Sequence, residues 1–171
     1  ETLLLKERKR GRQNVLLLNV GQQIGFSNFQ VVINISSIGG LVGQPFNELY
    51  CAAKFAVEGY TESLATYVGP AFGLYFTAIE PGGISTPFAQ NALAHFAETG
   101  EIKDDAYKPI LEAYIGGAQT RSDSGSAYAY QTADEVSSVI IEVLQAKTPP
   151  VRVRTSEWAD DFTRFKTHAD P

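Results

Sequence analysis

The sequence predicts an α/β domain built on a doubly wound parallel sheet, on three observations. Residues 14–20 (NVLLLNV) and 31–35 (VVINI) are short runs apolar on both faces, as strands covered on each side by helices must be. A long amphipathic helical pattern follows the second run, and a further strand-sized run, residues 74–79 (LYFTAI), follows the helix. Strand, loop, long helix and strand in that order make a βαβ unit, whose handedness places the two strands side by side and parallel.

Each element has a local reason. Residues 36–40 (SSIGG) form a small-residue loop after the second run. Asn47 is placed to cap a helix over residues 48–68, in which Ala53, Ala56, Val57, Tyr60, Leu64 and Val68 recur at three- and four-residue spacing. Gly69, Pro70 and Gly73 are expected to end it. The third run closes on Glu80-Pro81-Gly82-Gly83. Ligands of parallel sheets sit beyond the carboxyl ends of the strands, and both 36–40 and 80–88 fall there. Ser85 or Thr86 ahead of Pro87 suits a helix start. Residues 88–130 mix alanine, aromatic, glycine and polar residues with weak periodicity, which predicts an irregular, mobile cover over a site. Thr132-Ala133-Asp134-Glu135 is a capping box ahead of Val136, Val139, Ile140, Val143 and Leu144 on one helical face. Pro149-Pro150 stops that helix, residues 151–155 (VRVRT) alternate like a strand with one exposed face, and residues 156–171 read as a polar surface tail. No internal repeat is present.

Composition bounds the function. The chain has 171 residues, 44% hydrophobic and 19% charged, which suits one core and one domain. Fourteen basic against nineteen acidic residues give a net charge of −5, which disfavours a nucleic-acid surface. The basic run Lys6, Arg8, Lys9, Arg10 and Arg12 reads as a solvated face. No apolar run approaches the ~20 residues that span a bilayer, so no membrane partner is expected, and residues 3–5 are too short a core for a secretory leader. A single cysteine, Cys51, excludes an intrachain disulfide framework and suits a reducing compartment; the expected location is the cytoplasm. Cys51 stands alone and His95 and His168 have no ligand-spaced partner, so no metal site is expected. The chain begins at Glu1 and contains no methionine, which suggests part of a longer product.

Tyr50 and Lys54, four apart in the long helix, share one face, so the ammonium can lie near the phenol and favour its ionised form. That arrangement suits a general acid and base. Ser36 and Ser37 end the strand before this helix, and residues 81–86 (PGGIST) end the strand after it, so all three elements converge on one edge of the sheet. The stretch NISSIGGLVGQPFNELYCAAKFAVEGYTESLA with IEPGGISTPF resembles the short-chain dehydrogenase/reductase family, whose Ser, Tyr-x-x-x-Lys and Pro-Gly-x-x-x-Thr signatures stand here in register. The resemblance is strong over residues 31–88 and looser to about residue 155. Its wording is similar to the branch of 17β-hydroxysteroid and retinol dehydrogenases.

The resemblance implies a Rossmann-like fold and an NAD(P)-dependent oxidoreductase acting on an alcohol or carbonyl substrate, steroid- or retinoid-like. Catalytic Tyr50 would exchange the proton, Lys54 would hold the nicotinamide ribose and lower the Tyr50 pKa, and Ser37 would hydrogen-bond the substrate oxygen. Pro81, Gly82 and Thr86 would line the nicotinamide end with Tyr50 and Lys54. Ser36, pointing the other way, reads as structural. NADP and NAD are not distinguished. A homodimer or homotetramer through the Tyr-Lys helix is also implied.

The family opens with a phosphate-binding glycine turn and further βα units, which 30 residues cannot hold when each βαβ needs about 30 or more. Gly21 to Ser27 (GQQIGFS) imitates that turn with serine at the third glycine, and reads as an ordinary strand-end loop. The fourth catalytic residue of the family, an asparagine, has no counterpart; Asn14 and Asn19 sit in the wrong context. The nucleotide-binding half is therefore incomplete or missing from the residues present. The expected division is 1–30 as its remnant, 31–88 as catalytic core, 89–130 as substrate lid and 131–171 as C-terminal helix, strand and tail. The competing readings are a catalytically inactive truncated member serving assembly, and a hydrolase using Ser37, which lacks a base and a Gly-x-Ser-x-Gly elbow.

Overall fold

The computed structural model describes residues 15–19, 30–87, 105–123 and 130–167. Four strands, β1 (Val15–Asn19), β2 (Gln30–Ile35), β3 (Leu74–Glu80) and β4 (Arg152–Arg154), form one sheet in the order β1-β2-β3-β4. β2, β3 and β4 run parallel, with Val31 opposite Tyr75 and Ile79 opposite Val153. β1 departs from the expected all-parallel arrangement: it pairs with β2 antiparallel, Leu17 opposite Val32. Only ten residues join β1 to β2, too few for the crossover that a parallel pair requires.

Among the described residues the helices are α1 (Glu48–Phe72), α2 (Lys108–Asp123), α3 (Ala133–Gln145) and α4 (Glu157–Thr167). The strand period of two divides β2 and β3 between them. Val31, Ile33 and Ile79 pack with Val143 of α3, flanked by Ile35, Tyr75, Ile140, Leu144 and Val153. On the opposite face Asn34 Nδ2 donates to Thr61 Oγ1 of α1 at 2.9 Å, and a Cβ built on Gly69 would meet the Leu74 carbonyl at 2.9 Å. The lack of a side chain at Gly69 thus lets α1 lie directly on the start of β3. Helices cover both faces, as a doubly wound sheet requires.

Several local expectations change. α1 runs past Gly69 and Pro70 to Phe72 and ends at Gly73, whose φ of 66° is the left-handed cap that glycine takes without strain. Pro70 lies in the last turn, where its missing N–H forfeits a single bond. Asn47 stands at the N-cap position without a side-chain cap; its amide donates to Pro45 O at 3.0 Å and to Tyr114 Oη at 3.1 Å instead. The segment expected to be irregular contains α2, and the expected polar surface tail contains α4, with Ala159 and Thr163 fully buried. Thr132 does form the capping box, its Oγ1 accepting from Glu135 N while Glu135 Oε2 accepts from Thr132 N at 2.6 Å. Pro87, the expected helix start, stands exposed in a turn; residues 88–104 that follow it, with His95, and also His168, the basic run and residues 21–27, lie outside the described residues.

Ile33 and Ile79 have no exposed surface. Ile33→Ala is expected to cost about 2–5 kcal/mol, as truncation at a site that cannot collapse does. Urea unfolding with an unchanged slope and a lower midpoint would measure it.

Candidate active site

The two parallel strands deliver their ends to the same place. Beyond β2 and β3 the pairing continues through the loops: Ser36 N donates to Ile79 O at 2.7 Å and Ile38 N to Pro81 O at 3.0 Å. Ser37 caps a single 3-10 turn over Ile38–Gly40, its Oγ accepting from Gly39 N at 3.0 Å. The turn brings Gly39 under the first turn of α1. A Cβ placed on Gly39 would lie 3.1 Å from Tyr50 Cε1 and 3.4 Å from Ser37 Oγ, so the Tyr50 ring and the Ser37 hydroxyl flank one glycine. Lys54, a helical turn further on, holds its Nζ 5.7 Å from the Tyr50 ring centre and donates to Ile35 O at 2.9 Å. Burial pulls the Lys54 ammonium below the ordinary lysine range, and the nearby Glu58 charge opposes that shift. Ser37, Tyr50 and Lys54 therefore meet as the sequence spacing predicts.

Ser36 faces away from this group. It is buried, its Oγ has no hydrogen-bond partner, and it lies 2.7 Å from the Cβ position of Gly40, on the side that also holds the Glu58 Cγ.

The loop after β3 is clasped from two directions. A Cβ on Gly82 would fall 2.7 Å from the Trp158 ring, and one on Gly83 only 2.3 Å from the Tyr130 ring, so neither position tolerates a side chain without displacement. Ile84 bridges to Gln131: Ser85 N donates to Gln131 O at 2.7 Å and Gln131 N to Gly83 O at 3.0 Å. The Gln131 side chain in turn exchanges two hydrogen bonds with Thr155. Pro81 is buried beside Ile38, whereas Thr86 stands exposed at the outer end of the loop.

Trp158, Tyr130 and Gln131 did not emerge from sequence patterns. The signal available was the solitary tryptophan in an otherwise polar tail. Among the described residues no group of three or more His, Cys, Asp and Glu could hold a metal ion. No described helix is long and apolar enough to cross a membrane.

Residues 27–96 match the short chain dehydrogenase family, a span containing these strand-end elements but not the clasp made by Tyr130, Gln131, Thr155 and Trp158. The chain belongs to the short-chain dehydrogenase/reductase family. It is 36% identical over 126 residues to human (Homo sapiens) 17-beta-hydroxysteroid dehydrogenase type 1, covering 74% of this chain and 37% of that protein. Retinol dehydrogenase 8 of Bos taurus is 32% identical over 127 residues, or 73% of this chain and 39% of the relative. The chain thus spans about two fifths of the length of these relatives. The fold is similar to that of a short-chain dehydrogenase from Streptomyces avermitilis, with a TM-score of 0.56 at 23% identity, covering 79% of this chain and 45% of the other.

The clasp on this dehydrogenase-family loop is testable without assaying activity. Gly83→Ala is expected to destabilise the fold by about 1–3 kcal/mol, the usual cost of overpacking. Combining it with Tyr130→Ala should recover part of that loss in a double-mutant cycle. An additive pair of losses would mean that the two residues do not touch.

Proposed function

We propose that this chain is the catalytic part of an NAD(P)-dependent oxidoreductase that interconverts an alcohol and a ketone or aldehyde. The observation that carries this reading is the meeting of Tyr50 and Ser37 at the side-chain position of Gly39, with Lys54 one turn behind. Lys54 gives one donor to Ile35 O, and an ammonium has three, so it retains donors for ribose hydroxyls. Pro81, Gly82 and Thr86 bound the place where the nicotinamide would lie. The residues fit such a cofactor, and when bound it supplies or accepts the hydride.

The protein's part is position and proton. The Ser37 Oγ already accepts from Gly39 N, which leaves its own hydrogen to donate to the substrate oxygen. That bond strengthens as negative charge develops on the oxygen during reduction. Tyr50 Oη delivers the proton to the same oxygen, and in the reverse direction removes it. Residues 31–88 act as the catalytic core and residues 89–130 as the substrate lid. Tyr114 of α2 supports that role, because it receives a hydrogen bond from Asn47 beside the start of α1. The likeness to 17-beta-hydroxysteroid and retinol dehydrogenases supports a bulky apolar substrate, steroid- or retinoid-like.

The same reading makes the protein a homodimer or homotetramer in the cytoplasm. α1 exposes Leu49, Tyr60, Tyr67 and Phe72, more large apolar surface than one solvated helix usually shows, and a second copy of α1 would cover it. The buried, unpaired Cys51 suits a reducing compartment.

Tyr50→Phe is expected to lower turnover of a steroid or retinoid carbonyl by about 10²–10⁴, the usual contribution of a positioned acid. Circular dichroism and the unfolding midpoint should stay unchanged. Wild-type turnover in that variant would sink the mechanism. Failure to bind NADH or NADPH at micromolar concentration would favour a catalytically inactive assembly module instead. Tyr60→Glu with Tyr67→Glu is expected to shift the protein to monomer in sedimentation, and an unchanged mass would place the subunit contact elsewhere.

A further inference from the structure

Directly behind the Tyr50–Lys54 group lies a buried acidic pair. Glu80 ends β3, immediately before Pro81, and has no exposed surface; Glu58, one helical turn after Lys54, is 4% exposed. Their carboxyl groups are within hydrogen-bonding reach of one another. Each keeps one oxygen, Glu58 Oε1 and Glu80 Oε1, without a hydrogen-bond partner. Two facing carboxylates cannot satisfy each other, because neither has a hydrogen to give, whereas one proton between them supplies the missing donor.

Charged groups from three elements face the same pair. α1 contributes Lys54, Glu58 and Glu62, β4 contributes Arg152 and Arg154, and α4 contributes Asp160. Arg152 Nε lies 3.1 Å from Glu58 Oε2 and 3.6 Å from Glu80 Oε1, while its Nη2 lies 2.7 Å from Glu62. Arg154 Nη1 lies 3.3 Å from Glu80 Oε2, and its Nε pairs with Asp160. Four carboxyls (Glu58, Glu62, Glu80, Asp160) against three cations (Lys54, Arg152, Arg154) leave one negative charge in excess. Glu62 and Asp160 are about half exposed and screened by solvent, so the buried demand is that of Glu58 and Glu80, each of which still keeps one oxygen without a donor.

We infer that Glu58 and Glu80 share one proton and act together as positioning residues, stapling the α1 turn that carries Lys54 to the strand end that carries Pro81. The inference rests on the proposed function only in naming those two as working parts of the site. The staple also reaches the serine loop, since Glu58 Cγ and Ser36 Oγ close on Gly40, at 2.9 and 2.7 Å from its Cβ position. Removing the proton leaves two repelling charges between the elements that hold Ser37, Lys54 and Pro81 in register.

The titration follows from burial. Glu80 is pushed up to about 8, first by burial, then by the Glu58 charge and its hydrogen bond, with Arg154 and Arg152 opposing. The folded protein therefore keeps a proton that the unfolded chain releases near the ordinary carboxylate pKa. The stabilisation is fully present below that ordinary value and is lost as pH rises towards about 8, with no further loss from this group above it.

The test is urea unfolding of the intact, cofactor-free protein from about pH 5 to pH 9, comparing wild type with Glu80→Gln and, separately, Glu58→Gln. The folding constant of the wild type should fall by up to about tenfold per pH unit towards pH 8. Each glutamine, whose amide donates permanently to the remaining carboxylate, should flatten that fall. A wild-type slope preserved in both variants would overturn the shared proton. The positioning role is read by amide exchange at Ile38, whose N–H bonds the Pro81 carbonyl. Its protection factor should drop at least about tenfold in Glu80→Ala and stay within about twofold of wild type in Glu80→Gln. Equal protection in all three proteins, or equal loss in both variants, would overturn the staple. Neither readout depends on turnover, so a failed Tyr50→Phe experiment and a failed staple are told apart.

Discussion

The parallel ladder between β2 and β3 does not stop where the strands stop. Ser36 N still bonds Ile79 O, and Ile38 N still bonds Pro81 O, so two loops far apart in sequence leave the sheet side by side. Every feature of the site is referred to that registration. Ser37 is aimed because the backbone ahead of it is paired, and Lys54 reaches the same edge by donating to Ile35 O, the last carbonyl of β2. A slip of one residue would exchange the faces of β2, placing Ile33 against α1 and Asn34 in the apolar cluster. The cost of that exchange keeps the register, and the register holds the site.

The two faces of the sheet are built on different terms. Towards α3 the contact is apolar, with Ile33, Ile79 and Val143 closed to solvent. Towards α1 the buried groups are polar: Asn34 with Thr61, whose hydroxyl also donates to Val57 O, then Glu58 and Glu80 with their arginines. Apolar contact tolerates sliding, whereas hydrogen-bonded pairs lose their full bond when displaced. The helix bearing Tyr50 and Lys54 is therefore located by directional bonds, which fix its position more closely than apolar contact would.

Close approach is the other recurring device. Gly39, Gly40, Gly82 and Gly83 each have a neighbour where a side chain would begin: Tyr50, Ser36, Trp158 and Tyr130. The first two let the serine loop slide under α1, and the last two let aromatic rings from later in the chain cover the loop after β3. The C-terminal helix thus forms a wall of the site, and its burial of Ala159 and Thr163 anchors Trp158 there.

Much of this was legible in the sequence. The two runs 31–35 and 74–79, the helix between them and the capping box at Thr132 follow from periodicity and turn chemistry, which are local properties. The Ser37, Tyr50 and Lys54 grouping followed as well, because a βαβ unit allows only one end of the sheet for all three. Other features depended on tertiary structure. The direction of β1 depends on a short connection and on which edge of β2 remains open. α4 looked like a polar tail because its few buried positions are small, Ala159 and Thr163, and carry little hydropathy signal. Glu80 read as a loop residue and Glu58 drew no reading at all; nothing local distinguishes them from solvated carboxylates. The sequence by itself determined the βαβ core and the grouping of Ser37, Tyr50 and Lys54 at one sheet edge, since strand period, helix period and handedness act over neighbouring residues. Only the tertiary structure decided that two acids 22 positions apart face each other in the interior beside two arginines, because long-range packing alone sets the burial that makes their charge matter.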